Sequence, residues 1–293
     1  MKIGIIPNLG KMDCKEVMIK LCGLLEGKAE VIITDEVFTL PEKEAAKNHE
    51  TLREIAEICK VEIVAEEAFF ESSDLVVVMG GDGSLLRAVS GGARHGKPLL
   101  GINLGRVGYL ASAEKSSIEE VAKRILNGDY CISEHMMLEV DNCNEKKLAL
   151  NDVVISRSDM GRILEFTLFV DDELVDTYTA DGVVIATPIG STAYSLSAGG
   201  PVAYPYMDML IITPICPHGL SSRPIVVPAD KKITVQLGDK YDNKALVSAD
   251  GHIISRLITG DSIRVGSAPL KTKLIKMNDY GFYDLLRLKL KGN

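Results

Sequence analysis

No two of the six cysteines, at positions 14, 22, 59, 131, 143 and 216, are spaced as a Cys-x-x-Cys pair, and no His/Cys cluster has zinc-ligand spacing. That argues against a zinc module or a disulfide framework. The cysteines read as reduced thiols, which suits a cytoplasmic protein. Long apolar runs are also missing. None approaches the ~18 residues of a membrane span, and the opening MKIGIIPN is too short and too strand-like for a signal peptide. Positive charge is not in excess. A net charge of −8 and a pI near 5.3 disfavour a general binder of nucleic acid or anionic membrane. A polyanionic substrate would need locally placed cations. There is no sustained repeat and no low-complexity tract.

Two familiar phosphate-binding signatures are absent as well. The stretch from Gly91 to Pro98, GGARHGKP, nearly fits a P-loop, but Pro98 stands where the magnesium-binding hydroxyl belongs. Its context is reversed too, with a helical pattern before it and a strand pattern after. It reads as a plain turn, with Gly91 or Gly92 ending the helix. GINLGRVG, residues 101–108, has the wrong spacing for G-x-G-x-x-G, which disfavours an ordinary dehydrogenase.

The chain is long enough for two domains. Over residues 1–115, short β-branched runs (2–6, 31–34, 61–64, 75–79, 99–102) alternate with helical patterns (11–26, 41–59). This predicts an α/β N-terminal domain with an open, largely parallel sheet. Ser117-Ile118-Glu119-Glu120 reads as a capping box, opening a helix that stops near Asn127-Gly128. Strand patterns then dominate residues 116–274, including 148–156, 164–170, 182–186, 209–213, 225–227, 233–237, 245–248 and 262–265. They predict a mostly-β C-terminal domain with one helical interruption near 191–198. A final helix over 284–290 is expected, and residues 275–293 are expected to pack back on the first domain.

The most informative stretch is MGGDGSLLRA, residues 79–88, directly after Leu75-Val76-Val77-Val78. It lies at the carboxyl end of a predicted strand, where open α/β sheets bind ligands. Glycines permit positive φ and close approach of a ligand, and consecutive N–H groups in such a turn can hold phosphate. A carboxylate there repels phosphate unless it holds Mg²⁺ or takes a proton from an attacking hydroxyl. Asp82 has a plainer reading as a helix N-cap, although three glycines exceed what a cap requires. Gly105, Gly108 and Tyr109 are placed to form a loop beside this motif. A second Asp-Gly pair, Asp181-Gly182, precedes a strand and then the hydroxyl-rich TPIGSTAYSLSAGG, residues 187–200. The third candidate is Asn151-Asp152, an amide and a carboxylate at a strand entrance, able to bind a ribose diol or a carboxamide, or to form a turn.

In order along the chain, DLVVVMGGDGSLLRA, GINLGRVGYLA, ALNDVVISR, ADGVVIATPIGSTAYSLSAGGP and TPICPHGLSSRPIVVP resemble the NAD kinase family, also called ATP-NAD kinase. GGDG also occurs in 6-phosphofructokinases and in diacylglycerol and sphingosine kinases. The long DGVVIATPIGSTAYSLSAGGP run is far more specific. The resemblance implies a two-domain NAD kinase-like fold and a phosphoryl transfer from ATP to NAD, giving ADP and NADP, with a divalent metal, Mg²⁺. It implies Asp82 as general base on the 2′-hydroxyl of the adenosine ribose, with Gly83 making a backbone contact next to it. Dinucleotide contacts are implied for Arg87, Asn151, Asp152, Arg162 and Asp181, and for the segment Thr192, Ala193, Tyr194, Ser195, Leu196 and Ser197. Tyr109 stands where the family more often has Phe, and Asp152 where it more often has Glu. His252, after Asp250-Gly251, lies near another contact position. A homo-oligomer, dimer or tetramer, is also implied.

Overall fold

A computed structural model describes residues 1–35, 42–105, 108–142, 145–158, 163–219, 222–239, 244–277 and 281–290. The chain divides into two compact units, residues 1–134 with 272–293, and residues 135–271.

In the first unit, the parallel strands run Glu62–Val64, Glu30–Thr34, Lys2–Pro7, Leu75–Gly80 and Leu99–Asn103, in that spatial order. Strand Leu75–Gly80 is buried throughout, as an unbroken LVVVMG run requires in a sheet covered on both faces. One face carries Ile3, Ile5, Val77 and Met79 into a core with Met18 and Leu21, Leu52 and Ile55, and Val121 and Ile125, from three helices: Cys14–Leu25, Glu42–Cys59 and Ile118–Asn127. The opposite face packs on Phe69 of helix Glu66–Ser72. A Cβ at Gly4 would sit 2.6 Å from that ring. Helix Ile118–Asn127 thus belongs to this unit, and the division falls after Glu134 rather than at 115. The reason is its apolar face, which completes the first core.

Two local readings are corrected. Ser117 makes no side-chain cap; its hydroxyl donates to the Glu114 carbonyl at 2.9 Å within a 3-10 turn, Lys115–Ser117. The helix does stop at Gly128, in the left-handed region at φ +67°. Gly91 and Gly92 do not end helix Asp82–Arg94; they lie inside it, where Cβ atoms would strike Phe70 at 2.3 Å and Leu99 at 2.8 Å. Gly96, at φ +65°, makes the turn.

The second unit contains an antiparallel six-stranded sheet ordered Ile225–Pro228, Met209–Ile215, Gly182–Ala186, Asp152–Arg157, Lys244–Ala249, His252–Ile258. Val153, Ile155, Val183, Ile185 and Val247 face a core shared with Phe166, Leu168, Ile233 and Val235 of a second antiparallel layer. Val154, Val184 and Ile211, on the sheet's other face, pack against Ala198 and Ala203. The run 148–156 is two strands, not one. Glu145–Ala149 and Asp152–Arg157 belong to different sheets, and the chain turns between them at Leu150-Asn151. The helical interruption is a 3-10 turn, Ile189–Thr192, followed by a single turn of helix, Tyr194–Ser197.

Candidate active site

Strand Leu75–Gly80 ends tied on both sides. Asn8 N–H donates to the Met79 carbonyl at 2.9 Å and Leu104 N–H to the Gly80 carbonyl at 2.8 Å. Gly80 has no room for a side chain: a Cβ would lie 2.2 Å from Ser84 Oγ, which accepts from Asn8 Nδ2 at 2.7 Å. Gly81 and Gly83 are different, because a Cβ at either meets nothing within 4 Å. None of the three adopts positive φ. The glycines of this motif serve closeness, not unusual backbone angles: Gly80 toward the protein, Gly81 and Gly83 toward open space.

Asp82 is the first residue of helix Asp82–Arg94, and Gly81 occupies the cap position, so the N-cap reading fails. The Asp82 carboxylate turns instead to the loop after strand Leu99–Asn103. Oδ2 accepts from Tyr109 N–H at 2.7 Å; Oδ1 accepts from Leu110 N–H at 3.1 Å and Ala111 N–H at 3.2 Å. Three consecutive amides around one anion form a nest, which fixes both partners. Gly108 makes the approach possible, since a Cβ there would fall 1.8 Å from Asp82 Oδ1. Arg87, one helical turn on, is exposed. Tyr109 is half-buried, and burial raises its phenol above the ordinary value. A cavity of about 320 Å³ beside this loop is lined by Asn103, Ala111, Glu114, Glu120 and Arg124, among others. Its two glutamates make it a poor seat for phosphate.

The second unit gathers Asn151, Asp152 and the segment 192–197 at one end of its six-stranded sheet, while Asp181 lies at the opposite end, where Gly182 pairs with Ser156 rather than with Asp152. Asp152 opens the strand Asp152–Arg157, is 5% exposed, and accepts the Tyr194 N–H. Burial first, and then the neighbouring Asp250 carboxylate, push the Asp152 carboxyl up to about 7. Thr187, fully buried, locks the surrounding turn: Oγ1 donates to the Leu150 carbonyl at 2.6 Å and accepts from Gly190 N–H at 3.1 Å. Gly190 lies against Asn151, with space for no Cβ, 1.9 Å from the Asn151 carbonyl oxygen.

Within the following segment the side chains divide. Ser195 points inward and shares a 3.0 Å hydrogen bond with Thr213. Thr192 Oγ1 donates to the Ile189 carbonyl at 3.3 Å. Ala193 and Leu196 are half-buried, while Tyr194 and Ser197 are exposed. Asp181 pairs with Arg157, Nε to Oδ1 at 3.1 Å, both about one-third exposed. Arg162 lies outside the described residues. His252 is exposed, just past Asp250.

Three contributors carried weak signals in the sequence. Asn8 follows the first strand. Thr187 sits in the quoted TPIGS run. Asp250 belongs to the third Asp-Gly pair of the chain, after Asp82-Gly83 and Asp181-Gly182.

Comparison with known proteins gives this arrangement its relatives. The ATP-NAD kinase N-terminal domain matches residues 3–130, and the ATP-NAD kinase C-terminal domain matches residues 150–277. The chain belongs to the ATP-NAD kinase family. An NAD kinase of Acetivibrio thermocellus is 36% identical over 99% of this chain and 97% of its own length. One of Symbiobacterium thermophilum is 45% identical over 75% of this chain and 79% of its own. Among solved structures, yeast NADH kinase complexed with NADH superposes with a TM-score of 0.86 at 25% identity, covering all of this chain and 88% of the yeast chain. An NAD kinase from Archaeoglobus fulgidus in complex with ATP gives 0.73 at 27%, covering 98% of this chain and 97% of its own. The family match runs through both units, so the α/β and mostly-β halves are the two domains of an ATP-NAD kinase.

Proposed function

We propose that this chain is an NAD kinase, transferring the γ-phosphoryl group of ATP to the 2′-hydroxyl of the adenosine ribose of NAD. The products are NADP and ADP. The observation that carries the reading is Asp82, held by three amides next to glycines that leave open space. In the step itself, the ribose oxygen bonds to the γ-phosphorus as the bond to the β,γ-bridging oxygen breaks. The hydroxyl proton passes to the Asp82 carboxylate, and ADP carries away the bridging oxygen. The transition state is loose, so the proton moves late, and positioning supplies most of the rate.

Gly83 and Arg87 would contact the dinucleotide from the same helix start, and Tyr109 from the loop that Asp82 holds. Asn151 and Asp152 would take its hydroxyl and amide groups; Asp181, at the other end of the sheet beside Arg157, is assigned by family resemblance alone. Of the segment 192–197, exposed Tyr194 and Ser197 are suited to direct contact, with Thr192, Ala193 and Leu196 beside them. Ser195 would act through the Thr213 bond that shapes the turn. Arg162 is assigned by family resemblance alone. Among the described residues no three His, Cys, Asp or Glu side chains converge. These side chains do not form a protein cage for a metal. A Mg²⁺ ion would arrive on the donor's phosphates, keeping its waters, as that ion commonly does.

Five free cysteines among the described residues support a reducing cytoplasmic setting. Among those residues, no helix is long and apolar enough to cross a membrane. Exposed Ile253 and Ile258, on edge strand His252–Ile258, support a homo-oligomer, dimer or tetramer, joined through the second unit. Light scattering on a sizing column tests this: Ile253→Lys/Ile258→Lys is expected to yield monomer, and an unchanged mass would refute the assignment.

The reaction is tested by following ADP release from ATP with NAD, fructose 6-phosphate or diacylglycerol as acceptor, and NADP formation in the NAD arm. Only NAD is expected to be turned over. Asp82→Asn is expected to lower kcat by about 10²–10⁴-fold, the usual worth of a general base, with the NAD dissociation constant within about threefold. Near-normal turnover in that variant would falsify the general-base role.

A further inference from the structure

Asp250 sits in the turn between strands Lys244–Ala249 and His252–Ile258, in the left-handed region at φ +47°, with Gly251 following at φ +81°. Aspartate tolerates that region better than most residues. The turn aims the Asp250 carboxylate at the break between strands Glu145–Ala149 and Asp152–Arg157. Oδ2 accepts from Leu150 N–H at 2.7 Å, and Oδ1 accepts from Asn151 N–H at 2.8 Å and Asp152 N–H at 3.2 Å. In return, Asp250 N–H donates to the Asp152 carbonyl at 3.0 Å. Where the chain changes sheets, three successive amides would otherwise lack ladder partners, and one side chain about a hundred residues away takes all three.

We propose that Asp250 is a positioning residue for NAD: it fixes the backbone of residues 150–152, so that the side chains of Asn151 and Asp152 meet the ligand, and its charge beside Asp152 makes NAD affinity depend on pH. This rests on the reading of Asn151 and Asp152 as NAD contacts. The nearly buried Asp152 carboxyl and the Asp250 carboxylate raise each other's cost of ionising. Burial raises the Asp250 carboxyl above its ordinary value, while its three amide donors and then exposed His252 favour its charged form; beyond the two carboxylates, His252 is the charged group acting on the pair. An ionised Asp152 only accepts hydrogen bonds, which suits a ribose diol that offers two donors. A protonated one competes as a donor. NAD affinity should therefore rise as pH increases through about 7, where Asp152 loses its proton.

The test is KM for NAD and kcat from pH 6 to 8.5, in the wild type and in Asp152→Asn, Asp152→Ala and Asp250→Asn. In the wild type, KM should fall as pH rises, by up to about tenfold per unit on the acid limb. Asp152→Asn should remove that limb. Asp250→Asn should raise KM at pH 8 by about tenfold through loss of the charged acceptor, change kcat less, and move the acid limb to lower pH. A merely structural role would raise KM equally at every pH. A wild-type KM flat with pH overturns the proposal, and this arm requires no variant to fold. If Asp152→Ala leaves KM for NAD unchanged, the underlying NAD-site reading is what fails. If Asp152→Ala weakens NAD while Asp250→Asn moves neither KM nor the limb, only the role of Asp250 fails.

Discussion

Asp82 and Asp250 each accept three consecutive backbone N–H groups, from residues 109–111 and 150–152. Each carboxylate fixes a loop, and Asp82 depends on a neighbour small enough to let it in. For Asp82 that neighbour is Gly108. Gly108→Ala would put a methyl carbon 1.8 Å from Oδ1, so the carboxylate has to move away from its amides. A displacement near 1 Å at a reacting group is worth roughly 10² in rate. The expected result is therefore a kcat drop of about that size, with a far-UV spectrum like the wild type. A kcat within twofold would mean that Asp82 needs no such support. The sequence already pointed to Asp82, because a carboxylate among glycines after a buried strand has few uses. Its partners were not readable, since they lie 27 to 29 residues away and are backbone amides that any residue supplies. Asp250 was harder still. Its Asp-Gly pair looks like an ordinary turn, and only the fold brings residues 150–152 to it.

At the scale of elements, periodicity located the buried parallel strands, because strands covered on both faces are apolar at every position. It failed where two different causes give one pattern. Residues 148–156 are continuously strand-like, yet the chain breaks at Leu150-Asn151 and passes between sheets. The break is held by Asp250 and Thr187, neither of them local. Short helix Glu66–Ser72 has no amphipathic repeat long enough to register, and its Phe69 and Phe70 are set by packing against Gly4 and Gly91. The Ser-x-x-Glu box at 117–120 looked like a cap, but a preceding 3-10 turn took the serine hydroxyl for the Glu114 carbonyl. The candidate site shares in these misreadings, since Asn151 and Asp152 lie at the break inside 148–156.

For the whole molecule, the buried Asp152 makes stability a function of pH in a direction opposite to that of most carboxylates. Its folded-state carboxyl titrates near 7, above the ordinary 3.8. Between those values the folded chain binds a proton that the unfolded chain has released, so stability falls as pH rises through this window. The contribution is complete below about 4 and is lost by about 7 to 8. Asn is neutral, nearly isosteric, and can still accept the Tyr194 N–H. Asp152→Asn should therefore raise stability over the wild type more at pH 8 than at pH 5, by a difference on the order of 2 kcal/mol after allowing for relaxation around the pair. For a chain of this size that is an extra Tm increase of roughly 4–8 °C at pH 8 relative to pH 5. Thermal melts of both proteins at pH 5 and pH 8 check it, alongside KM for NAD. The variant should melt higher at pH 8 and bind NAD worse. That combination is expected of a charge kept in a buried site for its ligand rather than for the fold. Equal melting shifts at both pH values would mean that Asp152 ionises as readily in the folded chain as in the unfolded one.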